Sequence, residues 1–420
     1  LTILTLTKVD VGMLEDVGTS ANNIIQLDSN GKIPAVDGSL LTGTDTALSA
    51  SSDPTISTNP TNGVGTKYRN TTSGEMFVCT DATAGANVWI NVGVGRSNIA
   101  NAPYTRGGTQ YAFFAGGLKH NPVNSNANTI ERMAYASSSN CTDVGNLSAY
   151  IRYSMSPASS TTHGYTMGGD RHTVGNSNSG ASPSSNIEKF QFAASSNSTS
   201  IGNLTGIKSS NGRGNLSSAT FGYCSGGSWS GGRTNKIEKT SFSTDTNATH
   251  VGDLIRVISA VSHQSAELYG YSSGGWDGFN SRNEITKFNF STDGNATDVG
   301  DLIAPNDSGG GASGPDYGYV AGAAATNVIQ KFAYASDANA TDVGDLYSAN
   351  GTPTNAIDTG GAHCSSSTTH AYRAGAGGGN PIPTGIDRWS FSTDGNATDV
   401  GDMIQDGSGG GRTDGAAFQD

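Results

Sequence analysis

Charged residues make up only 14% of this 420-residue chain, against about 25% in ordinary globular domains. The 23 Lys and Arg are outnumbered by 35 Asp and Glu, giving a formal net charge of −12. That balance argues against binding the phosphate backbone of nucleic acids. No run of ~18 apolar residues occurs, so no membrane-inserting helix is expected. No basic stretch followed by an apolar one opens the chain, and no signal peptide is read there. The four cysteines, Cys79, Cys141, Cys224 and Cys364, lie far apart with no CxxC. They frame neither a zinc site nor a disulfide scaffold and are expected to pack as small apolar thiols. The seven histidines form no HExxH pair, and neither GxSxG nor a P-loop is present. No catalytic residue, metal ligand or cofactor is assigned, and the chain is read as a non-enzyme.

What is abundant is Gly, 59 residues of it, together with Ser, Thr and Asn. Apolar alternation between these turn-rich clusters predicts a β-protein rather than a disordered chain. One phrase recurs six times: NCTDVGNL at 140–147, STSIGNL at 198–204, NATHVGDL at 247–254, NATDVGDL at 295–302 and 339–346, and NATDVGDM at 396–403. Between Val144, Ile201, Val251, Val299, Val343 and Val400 the steps are 57, 50, 48, 44 and 57 residues. A period near fifty is long for a solenoid coil and suits one blade of a β-propeller.

Each unit reads as four strands. Before the phrase comes a strand such as IERMAY (130–135), IEKFQF (187–192) or IDRWSF (386–391), apolar at positions one, four and six and polar at two and three. Upstream lies an aromatic strand ending in small residues, such as FGYCSGG (221–227) or YGYSSGG (269–275). Further upstream a weak Ser/Ala/Gly strand is expected, for example at 257–266. The ending GGGRTDGAAFQD (409–420) looks like the opening strands of another unit, so it is expected to complete the first one.

The aromatic strand with its Gly pair resembles the Kelch-type repeat, on Gly116/Gly117, Gly168/Gly169, Gly226/Gly227 and Gly274/Gly275. The resemblance runs from about residue 100 to 420 and implies a divergent six-bladed propeller at 99–420. The family's later Trp is missing, with Val-Gly-Asp-Leu in its place, and the last two units have Gly-Ala for Gly-Gly.

The first hundred residues lie outside the repeat. Asn30-Gly31 between apolar stretches signals a hairpin. A Ser/Thr/Asp/Pro-rich linker is read at 44–64, followed by a small meander of KYRN, EMFVCT and VWINVG within 51–98. Ile24-Ile25-Gln26-Leu27-Asp28, Gly31-Lys32-Ile33-Pro34, Asp37-Gly38, Leu40-Leu41-Thr42, Asn70-Thr71-Thr72-Ser73-Gly74-Glu75 and Val88-Trp89 resemble modules of tailed-bacteriophage fibre proteins, those of marine cyanobacterial phages in particular. That resemblance implies an all-β virion appendage, a tail fibre or spike subunit, and a homotrimer. Residues 1–50 would attach it to other tail or capsid proteins, and the propeller would face a host-surface glycan or protein. The alternatives are a passive capsid or tail decoration protein and, third, an extracellular glycan-active enzyme.

Two sets of candidate residues follow. The DGNATD turns offer hard oxygens for calcium at Asp293, Asn295 and Asp298, and at Asp394, Asn396 and Asp399, but no bidentate Glu follows; Asp and Asn capping their own hairpin is the competing reading. The Asn-Ala-Thr sequons would stay unglycosylated in a phage protein. The connections between second and third strands vary most, at 170–185, 228–234 and 276–282. They place Arg171, His172, Trp229, Arg233, Trp276, Phe279 and Arg282 on one rim, a paratope-like mixture suited to receptor binding. The competing reading folds Trp229 and Trp276 back over the sheet edges as packing.

Overall fold

The computed structural model describes residues 47–92, 107–119, 125–152, 155–172, 182–209, 212–229, 231–323, 326–347, 363–375, 384–404 and 412–420. The fibre-like match at 20–43 and the Asn30-Gly31 hairpin lie outside them. Among the described residues every helix or strand element is a β-strand. The chain divides into two compact units, Leu1–Ala102 and Pro103–Asp420.

In the first unit Lys67–Asn70, Met76–Asp81 and Val88–Asn91 form the expected antiparallel meander. Alternation buries Tyr68, Phe77, Cys79 and Trp89 together. Asn70 makes the first turn, its Oδ1 accepting the N–H groups of Thr72 and Ser73. The linker reading at 44–64 is corrected from residue 48 onward. Leu48–Ala50 pairs in parallel with Lys67–Asn70 as a fourth strand. Asn70 Nδ2 donates to Asp53 at 2.6 Å and Asn87 Nδ2 to the Ile56 carbonyl at 2.8 Å. A polar stretch is ordered here because meander amides satisfy its oxygens.

The second unit is a series of antiparallel sheets. In the fourth repeat the order is Ser262–Ser265, Tyr269–Ser273, Glu284–Asn289 and Thr297–Asp301, each strand paired with the next. The fifth and sixth repeats have the same order. In the third the opening strand shrinks to a bridge between Ser217 and Gly222. The first repeat takes its opening strand from the far end of the chain: Ala416–Gln419 pairs with Tyr111–Ala115, as the repeated sequence predicts. The first two repeats merge into one eleven-stranded sheet because Thr142–Arg152 also pairs with Asp170–His172. The strand expected at 257–266 is two elements. Thr249–Ile258 closes the third repeat and Ser262–Ser265 opens the fourth, with Ala260 turning between them at φ 55°.

Apolar burial falls between repeats. Tyr223, Ile237 and Leu254 of the third pack with Phe288, Phe290 and Ala296 of the fourth. Tyr372, Ile386 and Met403 of the sixth pack with Phe114, Met133 and Cys141 of the first. The first Ile of the long strand is fully buried in all six copies. The second position is buried too, as Glu131, Glu188, Glu238, Thr286, Gln330 and Asp387. Both faces of this strand are covered, which explains its imperfect alternation.

The recurring phrase is a clasp between repeats. The Oδ1 of its Asn accepts the N–H of the VGD/VGN residue one repeat earlier: Asn197 from Asn146, Asn247 from Asn203, Asn295 from Asp253, Asn339 from Asp301 and Asn396 from Asp345, at 2.9–3.0 Å. The following N–H donates back to that residue's carbonyl, Ala296 to Asp253 at 2.8 Å for example. The sixth repeat makes the same contact with the first: Asp402 N–H to Asn140 Oδ1 at 3.1 Å and Cys141 N–H to Asp402 O at 2.8 Å. The Gly of the phrase lets the next turn close in, since a Cβ on Gly252 would lie 2.0 Å from the Gly294 oxygen. The hairpin-cap reading does not describe Asp293 and Asn295: Asp293 pairs with Lys239 at 2.6 Å, and both residues bind the preceding repeat; it does describe Asp298 and Asp399, whose Oδ1 atoms accept the N–H groups of Gly300 and Gly401 at 3.3 and 3.2 Å. Asp394 pairs likewise with Lys331 at 2.5 Å.

Candidate functional site

The second-to-third connections leave from the end of each sheet opposite the clasp turns, because the strands alternate direction. In the fourth repeat Gly274 and Gly275 turn the chain at φ 64° and 107° across the end of the third repeat's outer strand. There Trp276 exchanges backbone hydrogen bonds with Ser259, at 2.8 and 3.0 Å. Ser228 and Ser209 do the same one repeat earlier, at 2.8 and 2.6 Å. Asp170–His172 pairs with residues 150–152 one repeat before that. All three connections are therefore pinned to the preceding repeat.

This pinning sorts the seven candidate residues. His172 is buried, 3% exposed, so it is not a rim side chain. Arg171 is committed inward: it forms an ion pair with the buried Glu188 and donates from Nη2 to Ser148 Oγ at 2.9 Å. Burial lowers its pKa from the ordinary guanidinium value. Trp229 is half-buried and, with Ile207, Thr205, Thr234 and Lys236, lines a cleft of about 230 Å³ between the second and third repeats.

The remaining four come together at the next junction. Arg233 Nε donates to Ser259 Oγ at 3.1 Å, and a Cβ on Gly278 would lie 2.6 Å from its Nη1. Trp276 lies on the same Ser259 and is half-buried. Arg282 is held by Asp277, its Nε donating to Oδ2 at 2.7 Å. The other Asp277 oxygen accepts the N–H groups of Asn280 and Phe279, each at 2.8 Å. Those two backbone bonds, opposed by slight desolvation and helped by Arg282, lower the Asp277 carboxyl to about 2. The result is a braced turn that displays Phe279, 85% exposed. Asp277 is the organiser that the sequence reading missed; the Asp-Gly-x-Asn order of an Asx turn was its signal. Ile207 and Lys236 were missed because they sit on strands rather than loops.

Among the described residues no group of three or more His, Cys, Asp or Glu side chains could hold a metal ion. The four cysteines are free and buried. His163 and His370 occupy the aromatic position of their strands and contact Tyr165 and Tyr372, with burial lowering both pKa values. His263 is fully buried against Ser225 Oγ at 2.8 Å; burial, then Lys208, lowers its pKa to about 3. These histidines are packed as neutral groups rather than gathered into a reacting cluster.

In comparison with known proteins, no family model and no curated protein matches this sequence.

Proposed function

We propose that residues 99–420 form a six-bladed Kelch-like propeller, and that the chain is a tail-fibre or spike subunit of a tailed bacteriophage whose propeller engages a host-surface glycan or protein. The observation that carries the architectural part is the sixth clasp, in which Asp402 and Asn140 join across 262 residues by the bond that links every earlier pair of repeats. A repeated contact that returns to its own beginning supports the reading of a closed ring of repeats. The virion role rests on the fibre-like residues of the N-terminal hundred, which would dock onto other tail or capsid proteins, and on the trimer that the resemblance implies.

The binding role is supported by a division of labour within each repeat. The clasp side chains recur, while the opposite connections differ in length and composition. One of them holds an aromatic ring out in solvent on a braced turn. Such a ring offers a flat apolar face to a sugar or a peptide at little cost in side-chain entropy. Weak contacts on three subunits would add through effective concentration. The decoration reading has one observation in its favour: Arg171, Arg233 and Arg282 are all engaged within the protein. Binding of labelled full-length protein to susceptible cells, with unlabelled competitor, separates the two. Saturable binding that blocks infection and is weakened by Phe279→Ala supports reception. Binding that is absent from every susceptible host tested refutes it.

A further inference from the structure

The third position of the long strand is cationic in all six repeats: Arg132, Lys189, Lys239, Lys287, Lys331 and Arg388. Register shows the six to be equivalent, each opposite the Thr that opens the fourth strand, from Thr142 to Thr398. Four of them reach an Asp in the turn of the following repeat: Asp245, Asp293, Asp337 and Asp394, at 2.5–2.6 Å. Arg388 donates to Ser138 Oγ at 3.1 Å. Two repeats therefore lack the acid, since Ser138 stands at that position for Arg388, and Arg132 is the cation of the other. The acid position of the repeat that follows it is Ser195. Among the described residues no carboxylate lies within ion-pair distance of its guanidinium, which rests over the Tyr111 ring, 4.5 Å from the centroid.

This unmatched cation lines a cleft of about 450 Å³ between the first and second repeats, with Thr109, Gln110, Thr162 and Gln191 around it. The volume is within the usual range for small-molecule sites, roughly 300–1,000 Å³. Asp420 also lines the cleft, but its Oδ1 is taken by the N–H groups of Thr109 and Gln110 at 2.8 and 2.9 Å. Thr109, Gln110, Thr162 and Gln191 are exposed at the mouth.

We propose that this cleft binds a carboxylate-bearing sugar, a uronic-acid residue of an anionic polysaccharide. An external carboxylate takes the place that a turn aspartate fills in four other repeats. A guanidinium receives a carboxylate through two parallel hydrogen bonds. The surrounding hydroxyls and amides offer both donors and acceptors to ring hydroxyls. The cleft lies at the clasp end of the strands, while the Phe279 turn leaves from the other end, so this site stands or falls independently of that rim.

The test is calorimetric titration of the full chain with sodium glucuronate, with glucose and sodium sulfate as controls. The wild type is expected to bind glucuronate saturably and glucose not at all. Arg132→Gln should weaken glucuronate binding at least tenfold. Ser195→Asp should do the same by restoring the internal partner, with an unchanged or higher melting temperature that shows the fold intact. Failure of the wild type to bind glucuronate overturns the proposal. So does wild-type affinity in either variant, or sulfate binding as tight as glucuronate, which would mark an adventitious ion only.

Discussion

In the third repeat the second position of the long strand is Glu238, buried beside the Lys208 ammonium; in the fifth repeat the same position is the neutral Gln330. Both accept a backbone N–H from the repeat before: Thr205 to Glu238 Oε1 at 2.6 Å, Ile303 to Gln330 Oε1 at 2.9 Å. The task is shared, and only the third repeat adds charge to it. The difference follows the outer strand. Thr199–Lys208 is ten residues long and delivers Lys208 at its end, whereas Thr297–Asp301 is five residues long and stops well short of that position. Glu188 with Arg171, and Glu131 with Arg412, are further buried pairs in the first half of the array. Charge at the second position therefore goes with a nearby element that supplies a cation, since an unpaired buried carboxylate is strongly disfavoured.

The most severe break of this comparison is Lys208→Met. It leaves Glu238 buried and unpaired and should cost about 3–5 kcal/mol in urea unfolding. Gln330→Met removes only a neutral acceptor and should cost about 1–3 kcal/mol. The pair Lys208→Met with Glu238→Gln should recover most of the first loss. Equal losses for the two single variants would show that charge is not what separates the junctions.

The clasp offers the next contrast. Gly252→Ala puts a Cβ 2.0 Å from the Gly294 oxygen, so two repeats must move apart. Gly206→Ala, in the same half, meets nothing within 4 Å. The first should cost about 1–3 kcal/mol, as overpacking does, and the second should leave the urea midpoint nearly unchanged. A tolerated Gly252→Ala would mean that the clasp turn is not held at this distance.

The pH dependence should differ in sign between the sixth and third repeats. Burial raises the Asp387 carboxyl to about 7, against a loosely placed Arg373 at 3.7 Å. Its folded form holds the proton more tightly than the unfolded chain, so its stability contribution is present below the ordinary carboxylate value and lost as pH rises through about 7. Burial would raise Glu238 as well, but Lys208 and the Thr205 bond outweigh it and lower the carboxyl overall. Its contribution is present at neutral pH and lost as pH falls through its lowered value. Asp387→Asn should flatten the decline in stability between about pH 5 and pH 8, a change of roughly 2–3 kcal/mol. Glu238→Gln should instead flatten the acid limb. An unaltered neutral limb in Asp387→Asn would contradict the assignment.

Much of this fold was legible because its signals are local. The Ile-anchored long strand, the aromatic strand before it and the tail that completes the first repeat all follow from the repeated pattern. The clasp was not legible. Asn295 reads as a cap for its own turn, yet its acceptor oxygen serves Asp253, 42 residues earlier. The second position is polar or charged in every copy, yet it is buried in all six. Exposure was legible where a loop stands clear, at Phe279, and misleading at His172, which another repeat draws into strand pairing. Contacts between repeats leave no period of their own within a single strand, so alternation cannot report them.

The rim also supplies the gentlest test, and it sharpens the contrast between held and displayed residues. Trp276 is half-buried and bonded through its backbone to Ser259, whereas Phe279 is 85% exposed. Trp276→Ala should destabilise by about 1–2 kcal/mol through lost packing, and its effect on cell binding would mix folding with contact. Phe279→Ala removes a ring that covers little of the protein, so the unfolding midpoint should move by less than about 0.5 kcal/mol. The turn beneath it should persist, because Asp277 grips the backbone N–H groups of residues 279 and 280 rather than the ring. A loss of cell binding at unchanged stability would then belong to the ring itself. If Phe279→Ala binds as the wild type does, the displayed aromatic is incidental, and recognition on this rim must move to the half-buried Trp229 cleft.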